Sequence, residues 1–305
     1  MKSSPGKQQG IALIQVLLLT VLLSVILMSM NHQARQHIRL AEAVQQYTAA
    51  AMALHSAEAE ILFSLLSTEA PQLARGGPVG APAWNFYGVP FTFQDITLTI
   101  YDTSGLLNAA NPGSKLLSQF TSQHTGSETL GRQIAAALAD WQDRDDMIRL
   151  DGAEQADYPM FEVRNGPLQY TEELLFIKGV TPELFAKLAP LLSLFPRGVN
   201  INNQPEALWR LYLSEYQTTE LNRLRSEGKL TSGLFENLTS MPIDEFNRFS
   251  YGPAYRIGFT VKNADVRLSR ELTLRLMPFQ QQPLDIYEYR LRHLATDPLH
   301  AAPHD

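Results

Sequence analysis

The chain has 305 residues, with 25 basic and 31 acidic side chains, a net charge of -6 and no cysteine. That length fits one large or two modest domains, and the acidic balance argues against nucleic acid as the main partner. Without cysteine there is no disulfide, thiolate metal site or cysteine nucleophile, a composition compatible with the periplasm without showing it.

The chain opens with a short basic leader, Met1 to Gly10, that carries Lys2 and Lys7. Ile11 to Met30 then run for twenty residues without a charge. At about 1.5 Å per residue such a helix crosses a bilayer core of roughly 30 Å. A secretory signal differs, with an apolar core of about 7–15 residues before a small-residue cleavage site. Two readings fit: an uncleaved signal anchor, or a leader cut between Gly10 and Ile11 that leaves the apolar helix on the mature chain.

Gly10 followed by Ile-Ala-Leu-Ile resembles the class III signal of type IV pilins and type II secretion pseudopilins. The resemblance implies clipping and N-methylation by a prepilin peptidase. Most such subunits carry Glu at the fifth mature position, where its carboxylate can meet the charged N-terminus of a neighbour. Here that position is the neutral Gln15, which implies a poor repeating unit suited to the end of a filament. Lys2 and Lys7 favour a cytoplasmic N-terminus, but Arg35 and Arg39 follow the span and nearly balance them. The expected orientation, N-terminus cytoplasmic and body periplasmic in the inner membrane, therefore rests on the resemblance.

No Gly or Pro interrupts the chain between Gly10 and Pro71, and good helix formers dominate. A helix from Ile11 to about Leu66 would be roughly 85 Å long. Leu40, Val44, Tyr47, Ala51, Leu54, Ile61 and Leu65 step by three or four, which predicts an amphipathic second half. The first half would pack on neighbouring subunits and the second on this subunit's own sheet. Residues 68–90 are rich in Pro and Gly and read as a loop. Asp95 to Tyr101 alternates and reads as a strand, ended by the turn signal Asp102-Thr-Ser-Gly105.

Near the other end, Tyr255, Ile257, Phe259 and Val261 alternate, Asn263-Ala-Asp265 breaks the run, and Val266, Leu268, Leu272, Leu274 and Leu276 resume it. This predicts a β-hairpin, which gains stability by pairing with 95–101 under the long helix. The intervening residues show helical stretches at 113–124, 128–142, 170–178, 182–194, 205–215, 217–227 and 242–249. The expected fold class is α+β: a pilin-like long N-terminal helix on a small antiparallel sheet, with a large all-α insertion. Its parts are the leader (1–10), the membrane half of the helix (11–30), the αβ domain (31–104 and 251–277), the α insertion (105–250) and a mobile tail (278–305).

The sharpest chemical feature lies between residues 140 and 157, where seven acids and two arginines give a net of -5. Such crowding costs self-repulsion unless a cation or water relieves it. Calcium takes six to eight hard oxygens in loose geometry. Asp143 and Asp145 in a loop can point at one ion, and Gly152 allows a bend before Glu154. The spacing is not that of an EF-hand. A solvated acidic loop that caps helices, and a catalytic metal pair of DxD type, remain alternatives on composition alone.

The block Leu138-Ala-Asp140-Trp141-Gln-Asp143-Arg-Asp145, with Gly152-Ala-Glu154 and Tyr158, resembles the DWxDxD…GAE…Y block of the type II secretion K-type minor pseudopilins. Asp102-Thr-Ser-Gly-Leu-Leu-Asn108, Glu173-Leu-Leu-Phe-Ile-Lys-Gly179 and Asn200-Ile-Asn202 with Pro205-Glu-Ala-Leu208 agree in order, over roughly residues 5–277. The resemblance implies a pilin-like αβ fold with a helical insertion that binds calcium. It also implies a place beside other minor pseudopilins in a tip complex above the major pseudopilin. Calcium carries over to Asp143, Asp145, Asp151, Glu154 and Asp157, and more weakly to Asp140.

Leu174 to Leu191 could form a helix-hairpin-helix, but its turn Gly179-Val-Thr lacks the second glycine. Glu172, Glu173 and Glu183 also outnumber Lys178 and Lys187, the wrong balance for phosphates. No nucleophile-elbow, zincin, phosphate-loop or dinucleotide motif is present. The expectation is a non-catalytic tip subunit that aids export of folded proteins. A membrane-anchored periplasmic enzyme, or a minor pilin of a type IV pilus or competence system, is the alternative.

Overall fold

The computed structural model describes residues 9–76, 83–110, 115–195, 199–244, 247–263 and 266–294. The first helix, α1 (Gln9–Ser67), is 59 residues long, as the absence of Gly and Pro dictates. A short α2 (Ala70–Ala74) follows inside the expected loop, with Pro71 in its first turn. The sheet has five strands: β1 (Phe91–Phe93), β2 (Ile96–Asp102), β3 (Ala254–Asn263), β4 (Val266–Leu276) and β5 (Leu284–Leu294). They lie side by side in that order, each antiparallel to the next. Leu98 faces Phe259, and Ile257 faces Leu272, so the apolar parity read in the sequence lies on one face of the sheet.

That face is covered by α1. Ala50, Leu54, Ala57, Ile61 and Leu65 are buried against Leu98, Ile100, Ile257, Phe259, Leu268 and Leu272. Each large side chain buried in this way contributes roughly 1.5–3 kcal/mol. Glu58 of α1 pairs with Arg270 of β4 at the edge of the contact. The helix meets the body only from Ala50 onward. Leu40, Val44 and Tyr47, which share the amphipathic stripe, are exposed, because they lie on the part of α1 that has not yet reached the sheet.

The structure differs from the expected tail as well. Leu284–Leu294 pairs along β4, with a register shift at Thr273/Leu274. Its alternation is split into two short pieces, Leu284/Ile286 and Tyr287/Tyr289/Leu291, that change phase at Tyr287, where the register shifts. Residues 295–305 lie outside the described residues.

The insertion supplies α3 (Lys115–Thr125), α4 (Glu128–Gln142), α5 (Pro182–Leu188), α6 (Glu206–Trp209), α7 (Glu215–Ser226) and α8 (Ser232–Thr239). Residues 171–176 wind as a 3-10 helix, and the expected helix over 182–194 ends early as a 3-10 turn at Ala189–Leu191, which contains Pro190. The stretch 205–215 shortens to α6. No helix forms over 242–249 among the described residues; Asn247–Arg248 pairs instead with Val199–Asn200. A helix with no sequence expectation, α8, is capped by the Thr231 hydroxyl, which accepts from the Leu234 N–H. Gly233 in its first turn hides the pattern.

One core fills the α3–α5 half of the insertion, around Phe120, Leu138, Trp141 and Leu188. A smaller one surrounds Trp209 and Phe235. Asp102, at the end of β2, ties them to the sheet. It is wholly buried and accepts from the Ser104 N–H, the Asn200 and Asn203 amides and the Gly252 N–H, at 2.9, 2.9, 3.0 and 2.8 Å. Arg225 of α7 is held between the Tyr87 and Trp209 rings, 3.6 and 3.9 Å from their centroids, and burial pulls its pKa down to about 10.

Candidate functional site

The site grows from the C-terminal end of α4. The Ser127 hydroxyl accepts from the Leu130 N–H and starts the helix. Asp140 and Asp143, three apart in its last turn and at its cap, share one face. Carboxylates there meet the negative end of the helix dipole, so the arrangement needs a cation. The following loop returns through Gly152 so that Ala153 N–H donates to Asp140 Oδ2 at 2.8 Å. A Cβ on Gly152 would lie 1.9 Å from the same oxygen. Glycine is therefore required by the approach of Asp140, not only by the bend expected from sequence.

Asp140, Asp143 and Glu154 bring one carboxylate oxygen each within 4.8 Å of one another. Asp140 is fully buried, and Glu154 is 6% exposed. Arg149 donates to Asp140 Oδ1 at 2.6 Å and also pairs with Asp143. The two carboxylates hold the Arg149 guanidinium more firmly protonated than usual. Glu154 has no such partner: both its carboxylate oxygens, and Asp143 Oδ1, are buried without a hydrogen bond. Burial pushes the Glu154 carboxyl up, and the negative charges of Asp140 and Asp143 push the same way.

The other expected ligands stand around this trio. Asp157 donates no charge to it: Lys178 Nζ lies 2.6 Å from Asp157 and holds its carboxyl below the usual range. Its second oxygen accepts from the Glu154 N–H. Asp145 caps the Met147 N–H at 3.0 Å. Asp151 adopts φ 66° and lies 3.8 Å from Arg132. Trp141 anchors the whole segment, edge-on to Tyr158 at 5.4 Å and Phe161 at 6.0 Å.

A trio of gathered carboxylates, hard donors only, with three unpaired oxygens on Asp143 and Glu154, fits calcium or another hard divalent cation. No other group of three or more acids or histidines that could hold a metal ion is found among the described residues. The sequence made Asp140 the weaker candidate, whereas it stands in the buried trio, and Arg149 was not singled out; a basic residue inside an acidic run was the available signal.

The second functional element is the free half of α1. Leu13, Leu17, Val21, Ile26 and Met30 are exposed, and this is the one helix among the described residues long and apolar enough to cross a membrane. Gly10 and Ile11 lie in the first turns of α1, and Gln15 is exposed on it; residues 1–8 of the leader lie outside the described residues.

A family model for type II secretion system protein K matches residues 102–197, the stretch that begins at Asp102 and includes the acidic loop. The type II secretion system protein K of Klebsiella pneumoniae is 30% identical over 245 residues, 72% of this chain and 74% of its own length. The chain belongs to the type II secretion system protein K family. The protein of that name from Aeromonas hydrophila is 33% identical over 104 residues, 30% of this chain and 31% of its own. A solved chain of the GspK-GspI-GspJ complex from enterotoxigenic Escherichia coli covers 83% of this chain and 99% of itself, with a TM-score of 0.56 and 16% identity, which shows the shared α+β pilin-like fold. Membership of the K family makes the chain a minor pseudopilin, a structural component of the secretion apparatus, and α1 its single-pass membrane anchor.

Proposed function

We propose that the chain is a non-catalytic subunit that ends the type II secretion pseudopilus and aids export of folded proteins. A prepilin peptidase cuts between Gly10 and Ile11 and methylates the new terminus. The apolar segment of α1 first spans the inner membrane, with the N-terminus cytoplasmic and the body periplasmic, and then packs among the helices of neighbouring subunits. Neutral Gln15 offers no carboxylate to recruit a neighbour's charged terminus, and the bulky insertion above the sheet blocks further growth. The partners are the other minor pseudopilins, in keeping with the I and J proteins that accompany the K protein in the solved Escherichia coli complex, and the major pseudopilin beneath them. Calcium held by Asp143, Glu154 and Asp140 stiffens the insertion, with Asp145, Asp151 and Asp157 ordering the loop around it.

The observation that carries this reading is the split character of α1. Its segment 13–30 is exposed and uncharged, while Ala50 to Leu65 join the core of the αβ layer. A helix used only as a tether needs no rigid continuation into the fold; a filament subunit does. Co-expression of the full chain with a prepilin peptidase and mass spectrometry of its N-terminus tests the reading. Loss of residues 1–10 with methylated Ile11 is expected. An intact N-terminus would leave an ordinary anchor and overturn the filament reading.

A further inference from the structure

The carboxylate trio already contains a cation of its own. Arg149 turns inward to Asp140 and Asp143 while its neighbours turn out, with Leu150 92% and Met147 77% exposed. The same loop thus presents apolar side chains to water and a guanidinium to the acids. Of the six carboxylate oxygens of Asp140, Asp143 and Glu154, the Arg149 side chain takes Asp140 Oδ1 and Asp143 Oδ2. Asp140 Oδ2 accepts from the backbone N–H groups of Arg149 and Ala153. Asp143 Oδ1 and both oxygens of Glu154 remain without a partner.

From this geometry we propose that Arg149 is an internal counter-cation that a divalent cation displaces, swinging its side chain out and shifting the exposed Met147–Leu150 segment. The inference rests on the metal reading above. Three free oxygens are few for an ion that gathers six to eight; release of Arg149 adds two more. A guanidinium held on the same carboxylates repels an incoming divalent cation at short range. Displacement is easy because the Arg149 side chain is 45% exposed and leads directly to water. Before an ion arrives, the arginine keeps the two carboxylates at the C-terminal end of α4, Asp140 and Asp143, from repelling one another. The ion then replaces a local charge and remodels the apolar surface beside it.

Titration calorimetry with calcium chloride on the full chain in detergent tests this. Arg149→Gln should bind calcium about tenfold more tightly than the wild type, Arg149→Lys should stay near the wild type, and Glu154→Gln should lose binding. Equal or weaker binding by Arg149→Gln, with binding retained in the wild type and lost in Glu154→Gln, overturns the displacement alone. No binding by wild type or Arg149→Gln, or undiminished binding by Glu154→Gln, overturns the metal reading and this inference with it. If Arg149→Gln does not fold, the wild type decides. Phenylglyoxal should label Arg149 faster with calcium than with chelator, read by peptide mass spectrometry. Unchanged or slower labelling overturns the displacement.

Discussion

At Glu154 burial and charge conflict. Its carboxylate sits 6% exposed, unpaired, beside Asp140 and Asp143. A carboxyl raised in the folded state takes up a proton more readily there than in the unfolded chain. Below the unfolded value, about 4.3, both states are protonated and nothing is lost. As pH rises through the raised folded value the charge must be carried unpaired, and stability falls. In chelator, Glu154→Gln should therefore melt higher than the wild type at neutral pH, and its melting temperature should fall less between about pH 4 and neutrality. With calcium the order should reverse, because only the wild type gains. Differential scanning fluorimetry across pH, with and without calcium, reads all three. Identical pH profiles would mean that water already solvates the carboxylate.

At the scale of elements, β5 joins the two halves of the body. Its Arg290 pairs with Glu172 of the insertion, and its Tyr287 stacks on Phe195 at 4.5 Å between centroids. It also closes the edge of β4. Truncation after Met277 removes this pairing and both cross-junction contacts, and should cost about 2–4 kcal/mol. Arg290→Ala alone, which removes one partly exposed pair, should cost about 1 kcal/mol or less. Urea unfolding of the two variants checks the ratio. What the sequence made legible here followed from period. The uninterrupted run of α1, and the alternation of Tyr255 to Leu276, needed no tertiary information. By contrast β5 was missed, because its alternation changes phase at Tyr287, where the register shifts, and each piece is short. The small helix α8 was hidden by Gly233 and the short α6 was overextended, since packing around Trp209 and Phe235 decides both. The acidic loop was legible as a crowd of carboxylates that includes Asp140, Asp143 and Glu154, but not which of them gather, because the return through Gly152 that sets Glu154 against Asp140 is tertiary.

Across the whole molecule, α1 divides into a half that the fold needs and a half that it does not. Every described side chain from Leu13 to Met30 is exposed, and the first buried residue of the core is Ala50. The membrane segment thus contributes no packing within this chain; its apolar area awaits either lipid or other helices. Residues 31 to 49 are equally unburied but for partly covered Gln46. A chain of residues 31–305 should fold with the full chain's stability, within about 0.5 kcal/mol in the same detergent, since surface deletions away from packed features have small effects. It should also remain cooperative, because the sheet, the α1 segment from Ala50 to Leu65 and the Asp102 junction are all retained. Denaturant unfolding followed by tryptophan fluorescence measures this, since Trp84, Trp141 and Trp209 report the sheet and the two halves of the insertion separately. A loss of several kcal/mol would show that the apolar half folds back on the body. An unchanged curve would leave the whole of that surface free for neighbouring helices, as a filament subunit requires.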